Sequence, residues 1–223
     1  MKCAALLSGG KDGWLALWYA ISSGLEVEAI VTFVPKKLDS FMFHGINSKF
    51  VKEQAKLAGI KHIEIQTSGE KEKEGEELVQ SFLQLRKKGF EAVITGAIES
   101  EYQRERVERA CIESGLVHFA PLWHKKQEQV LGEMPDSGLD AIIVAVAADG
   151  MGKEWLGKRI SESKEGLSRL QSTRHISPIG EGGEFETFVL KSPLFKREIG
   201  ISKSKILWKG SSGFLEIGRL AQK

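Results

Sequence analysis

The sequence predicts an α/β domain built on a parallel sheet, followed by a smaller α+β domain. Two observations carry that prediction. Apolar runs of strand length alternate with amphipathic runs of helix length through residues 1–120, the order a parallel sheet requires. Beyond Pro121 the alternation loosens, and the chain closes in three strand-like runs. We therefore expect domains at 1–120 and 121–223.

Each element has its own signal. Residues 2–7, KCAALL, make a short apolar strand, and Trp14, Leu17, Trp18 and Ile21 repeat at helical spacing after it. "EVEAIVTFV" is a second strand, stopped by Pro35. A helix over 46–58 carries Ile46, Phe50, Val51, Ala55 and Ala58 on one face, with Gly59 as its stop. "HIEIQ" is a third strand. The next helix, 73–88, turns Leu78, Phe82 and Leu85 inward. "EAVITGA" is a strand, 100–114 a helix whose core spacing falls on Val107, Ala110 and Cys111, and "VHF" a short strand. Right-handed crossovers place helices on both faces of such a sheet. In the second domain we expect a helix near 125–132, the strand "AIIVAV", a helix near 163–171, a Gly-rich loop and the strands "TFVL", "SKILW" and "FLEIG".

Composition narrows the class. With 223 residues, 41% hydrophobic and 28% charged, the chain reads as an ordinary globular protein. Its net charge of +2 comes from 32 basic and 30 acidic residues spread through the chain, so no nucleic-acid partner is expected. No apolar run approaches the ~20 residues of a membrane span, and no signal peptide is expected. Cys3 and Cys111 form no CxxC pair, which argues against a disulfide framework or structural zinc and fits a reducing cytoplasm. A homo-oligomer is compatible with the sequence.

The first strand stops abruptly in Ser8-Gly9-Gly10-Lys11-Asp12-Gly13 and a helix begins. Glycines uncover backbone N–H groups, the helix N-terminus favours an anion, and a lysine ammonium about 4 Å from a phosphate oxygen adds about 4 kcal/mol at an effective dielectric of 20. Lys11 should therefore outweigh the helix dipole. Asp12 does not suit a purely anionic site; it either helps to hold Mg²⁺ or caps the helix. No Gly-Lys pair is followed by Ser or Thr, and no GxGxxG occurs, so neither the Walker loop nor the dinucleotide fingerprint applies.

The loop resembles the PP-loop, Ser-Gly-Gly-x-Asp-Ser, of the N-type ATP pyrophosphatases, with Gly13 in place of the final Ser. Three further segments, "LDSFMFH" at 38–44, "GAIESEYQRERVERAC" at 96–111 and "GEGGEFETFVL" at 180–190, make nearly the whole chain similar to the diphthine–ammonia ligases of short archaeal type. The resemblance implies an adenine-nucleotide alpha-hydrolase-like fold and a defined reaction. The carboxylate of diphthine, a modified histidine on translation elongation factor two, is adenylated by ATP and amidated with ammonium, releasing AMP and pyrophosphate. It implies ATP and Mg²⁺, with Lys11 and Asp12 catalytic and Ser8 to Gly13 around the phosphates. It also places the adenine against the backbone of Thr32 and Phe33 at the end of the second strand.

The remaining candidates have competing structural uses. Gly96 ends a strand where a ligand can approach the backbone closely. Ser100 and Gln103 form a capping box or contact substrate. Tyr102 and Arg106, four apart near the helix start, are substrate-contact candidates. Asp39, Ser40 and His44 line the site or sit in a packed loop whose Phe41 and Phe43 are apolar. Glu181, Glu184, Glu186 or Phe185 holds the trimethylammonium of diphthine or a metal, beyond what a turn needs. Two rival readings remain. A PP-loop enzyme acting on tRNA lacks its cysteine pairs and a basic stripe here, and a nucleotide sensor without turnover does not need Lys11 with Asp12.

Overall fold

A computed structural model of the chain describes residues 1–36 and 46–221. These fall into two units, Met1–Ser8 with Asp12–Trp123, and Gly9–Lys11 with His124–Lys223.

The first unit begins with β1 (Lys2–Leu6), the middle strand of its sheet, followed by α1 (Lys11–Ser22) and β2 (Glu26–Pro35). After a 3-10 turn at Ser48–Phe50 come α2 (Val51–Ala58), β3 (Lys61–Thr67), α3 (Lys71–Lys87), β4 (Ala92–Ile94), α4 (Glu101–Ser114) and β5 (Val117–Phe119). All four strand pairings are parallel and the order is β3-β2-β1-β4-β5. The expected helix over 46–58 is regular only from Val51, because Asn47 sits at φ 65° and forces a tight turn first. The expected strand "EAVITGA" is cut to three residues, since the chain must turn at Gly96 to pass the start of α1.

The sequence periodicity explains how the sheet is covered. Leu78, Phe82 and Leu85 of α3 and Val107, Ala110 and Cys111 of α4 pack on Ala4, Ala29, Val31, Phe33 and Val93. Small alanines in the central strands let the helices approach, and burying each Leu or Phe contributes about 1.5–3 kcal/mol. On α1, Trp14 is fully buried and its indole N–H donates to Gln54 Oε1 of α2 at 3.1 Å. Burial pushes the Cys111 thiol up to about 12 and raises that of Cys3, so both cysteines are packing residues rather than nucleophiles.

The second unit holds α5 (Gln127–Asp136), β6 (Asp140–Val146), α6 (Ile160–Arg174), β7 (Phe185–Lys191), β8 (Ile201–Lys209) and β9 (Ser212–Leu220). Its antiparallel sheet runs β7-β6-β9-β8. Expected to end near 132, α5 instead continues through Pro135. The proline falls in the last turn, where Ser137 N–H still reaches Glu133 O at 2.9 Å and buried Met134 anchors the end. Strands β6 and β9 pair only at Ala145–Phe214 and Val146–Gly213. Below that point β6 is bordered by residues 157–159, with Arg159 paired to Asp140 at 2.9 Å. No described helix is long and apolar enough to cross a membrane.

Candidate functional site

Strand order runs outward from β1 in both directions, to β2 and β3 on one side and to β4 and β5 on the other. Connections leaving β1 and β4 therefore diverge, and a crevice opens beyond their carboxyl ends. Residues 7–13 follow β1 and residues 95–100 follow β4, so the opening loop and the start of the 96–111 segment meet at this one point.

Contact between these loops is backbone to backbone. A Cβ on Gly96 would lie 2.5 Å from Gly13 N and 2.6 Å from Asp12 O, and would also collide with the Asp12 carbonyl carbon. Only glycine permits that approach, and it fixes the first turn of α1 against the end of β4. Gly13 is also crowded: a Cβ there would lie 2.5 Å from Leu7 Cδ2. A side chain at position 13 would require the Leu7 side chain to move.

Gly9, Gly10 and Lys11 group with the second unit. Val189 N–H donates to Gly9 O at 3.0 Å, and Lys11 N–H donates to Thr187 Oγ1 at 3.1 Å, so the loop tip runs beside β7. Gly9 has φ 98°, a left-handed value that turns the backbone sharply there. Lys11 is only 2% exposed, with its ammonium 5.7 Å from the centre of the Phe185 ring. A charge held out of bulk water acts on a neighbouring anion with little solvent screening. Ser8 is exposed, and Asp12 is half-buried in the first turn of α1.

Phe185, one of the residues expected to meet the substrate cation, is 4% exposed, and its ring faces the Lys11 ammonium. Glu184 turns back into its own loop: Oε1 accepts Ser177 N–H at 2.9 Å, while Oε2 is buried without a hydrogen-bond partner among the described residues. Ser177 is the hub of that turn. Its hydroxyl donates to Gln127 Oε1 at 2.9 Å and accepts Glu181 N–H at 3.1 Å. Glu181 and Glu186 are half-buried, Glu186 standing opposite Ala145 on β6.

Beyond Val31, where the β1–β2 pairing ends, β2 continues to Pro35 beside β3. Leu7 N–H donates to Val31 O, so strand alternation turns the Phe33 backbone toward the same, β1-facing side. The side chains of this pair are committed elsewhere: Phe33 is in the core, and Thr32 Oγ1 lies 3.0 Å from His62 Nε2. Thr95, just before Gly96, repeats the device, its Oγ1 2.8 Å from His118 Nε2. In both cases the imidazole stands two register positions before the threonine on the outer strand.

Burial lowers the pKa of both imidazoles; Glu64 and Glu108 pull the other way, and Lys52 and Arg104 reinforce the lowering. A folded-state value below the ordinary 6.5 means the unfolded chain takes up protons first, so stability is lost as pH falls below about 6.5. The unfolding temperature should drop between pH 7.5 and 5.5, a window above the carboxylate range. His62→Gln with His118→Gln should flatten the drop, and an unchanged slope in that double variant rules out the two pairs as its source.

Ser100 caps α4, accepting Gln103 N–H at 3.4 Å. The Arg106 guanidinium lies 3.4 Å from the Tyr102 ring centre, and its Nη1 donates to Tyr102 O at 3.3 Å, so the two expected contact residues stack on each other. Asp39, Ser40 and His44 lie outside the described residues. Among the described residues no three His, Cys, Asp or Glu side chains cluster as a metal site. Thr187 and Thr95 escaped the sequence reading because a single threonine carries no spacing signal; the position of Thr187 directly after the "GEGGEFE" run was the one available hint.

Residues 1–118 match the family model "Diphthamide synthase N-terminal domain" and residues 126–222 match "Diphthamide synthase C-terminal domain". A diphthine–ammonia ligase of Schizosaccharomyces pombe is 35% identical over 96% of this chain, which spans 38% of that relative's length. One from Danio rerio is 33% identical over 99% of this chain and 94% of its own length. The human diphthine–ammonia ligase is 30% identical over 99% of this chain and 90% of its own. With both family domains in order and motifs from both joined around Lys11, the chain belongs to the diphthamide synthase family of diphthine–ammonia ligases.

Proposed function

We infer that the protein is an ATP-dependent ligase that converts the carboxylate of diphthine on elongation factor two into the primary amide of diphthamide. The observation that carries this reading is the loop at the strand-order reversal. The close approach of Gly96 to Gly13 at the start of α1 supports a phosphate site there, to which the Lys11 ammonium is assigned.

The chemistry requires such a site. A carboxylate does not expel oxide when ammonia attacks, so the carbonyl carbon first needs a better leaving group. The substrate carboxylate oxygen attacks the α-phosphorus of ATP, the α–β bridging bond breaks, and pyrophosphate departs. Ammonia then adds to the acyl carbon of the mixed anhydride, AMP leaves with the C–O bonding pair, and the nitrogen gives up a proton. Lys11 and the N–H groups of Gly9, Gly10 and Gly13 are assigned to the charge that grows on pyrophosphate. Asp12 offers one carboxylate to Mg²⁺ arriving on the nucleotide, which fits an ion that keeps phosphate oxygens and waters as its other ligands. The Phe33 backbone is assigned to the adenine.

The second unit is assigned to the modified histidine. Its motif carboxylates Glu181, Glu184 and Glu186 are assigned to the trimethylammonium cation, with Glu184 also accepting Ser177 N–H in the same turn. Reconstitution decides the reading. Protein, ATP, Mg²⁺, ammonium and diphthine-bearing elongation factor should give AMP in step with a carboxylate-to-amide change seen by mass spectrometry. ADP with orthophosphate, or AMP without the amide, overturns it. A reducing, cytoplasmic setting follows from the substrate's place in translation.

A further inference from the structure

The net charge of +2 conceals an uneven distribution. Residues 191–223 contain eight Lys and Arg against two Glu, whereas residues 1–190 contain 24 basic and 28 acidic. Averaged over the chain the two regions nearly cancel; in the fold four of those eight basic residues lie on β8 and β9.

Strand register shows which side chains share a face. Leu215 and Ile217 of β9 are buried, so Ser212, Phe214 and Glu216 point outward. Their partners on β8, Lys209, Leu207 and Lys205, point outward with them, and Lys203 extends the row opposite Arg219. Lys203, Lys205, Lys209 and Arg219 are all exposed, and none makes an ion pair with a described residue. Half-buried Leu207 and Phe214 sit among them.

Lysines on an edge strand guard against unwanted strand addition, and β8 is the edge. That does not explain why Arg219 of β9 stands across from Lys203, a like-charge pairing that costs stability. Lys205 has Glu216 across from it, but Lys203, Lys209 and Arg219 have no acidic cross-strand neighbour, and a basic row with an apolar centre is what a surface looks like when its counter-charges are supplied by a partner. The apolar Leu207–Phe214 pair and the single Glu216 suit a protein surface with carboxylates around an apolar patch better than a uniform track of phosphates.

We propose that the outward face of β8–β9 docks an acidic patch on the folded protein that carries the modified histidine. This rests on the ligase reading above. It assigns recognition of the carrier to the hairpin and recognition of the modified side chain to the turn around Ser177.

The test is Lys203→Gln/Lys205→Gln/Lys209→Gln in the full chain, beside a control with arginine at the same three positions. Binding to diphthine-bearing elongation factor is measured by calorimetry at low and high salt, and amidation is followed on that protein and on a short diphthine-bearing peptide. The glutamine variant should weaken binding at low salt at least tenfold and lose most of the salt dependence. Its KM for the protein should rise with kcat and peptide turnover unchanged, and the arginine control should behave as wild type. Unchanged binding in the glutamine variant overturns the proposal. So does loss of single-stranded RNA binding, or of self-association, with affinity for the factor intact, since either identifies a different occupant. If wild type amidates neither substrate yet binds the factor through these lysines, the ligase reading fails and the docking surface stands.

Discussion

Replacing Lys11 with Met is expected to lower the rate of AMP formation about a thousandfold while leaving the fold in place. The side chain is nearly isosteric, and its backbone N–H keeps the hydrogen bond to Thr187 Oγ1. On the proposed assignment of Lys11 to the pyrophosphate, what disappears is one positive charge about 4 Å away, about 4 kcal/mol at an effective dielectric of 20 and therefore close to three decades in rate. The loss should appear mainly in kcat, because the charge on the bridging oxygen grows as the bond breaks. Single-turnover AMP release with radiolabelled ATP measures it, and far-UV circular dichroism checks the fold. A variant that retains more than a tenth of the wild-type rate removes Lys11 from the chemistry.

Gly96→Ala is the second large effect. The added methyl would meet Gly13 N and Asp12 O at 2.5 and 2.6 Å, against an ordinary contact of about 3.4 Å, and backbone atoms cannot rotate away as a side chain can. The start of α1 must shift by roughly 1 Å, and a displacement of that size costs about a hundredfold in rate where reacting groups are prepositioned. Stability should fall by about 1–3 kcal/mol. Gly75→Ala is the contrast: that glycine lies within α3 with nothing within 4 Å of a new Cβ, so the substitution should be neutral or stabilise by about 0.5–1 kcal/mol. If Gly96→Ala releases AMP within threefold of wild type, the loop contact does not position the nucleotide.

Much of the first unit was legible because its helices are amphipathic in a simple way. Leu78, Phe82 and Leu85 announce their face, and the strands between are apolar runs of strand length. Long-range geometry was not legible. Nothing local in "GEGGEFET" says that Phe185 will face Lys11 or that Thr187 will take its N–H, because those contacts join residues some 176 positions apart. The threonine–histidine pairs were not legible for a related reason: His62 and His118 carry no spacing signal, and only strand register brings Thr32 and Thr95 near them. The basic hairpin could be read from the sequence, but net charge over the whole chain averages it away.

Because Val189 and Thr187 hold Gly9 and Lys11, the glycine-rich opening cannot be inherited separately from the last third of the polypeptide. A hybrid that joins residues 1–120 of one relative to residues 121–223 of another would graft a loop onto a strand that never evolved with it. Such recombinants should keep both sheets and still misplace the lysine, so engineering by domain exchange has to carry residues 9–11 across with the carboxyl-terminal piece.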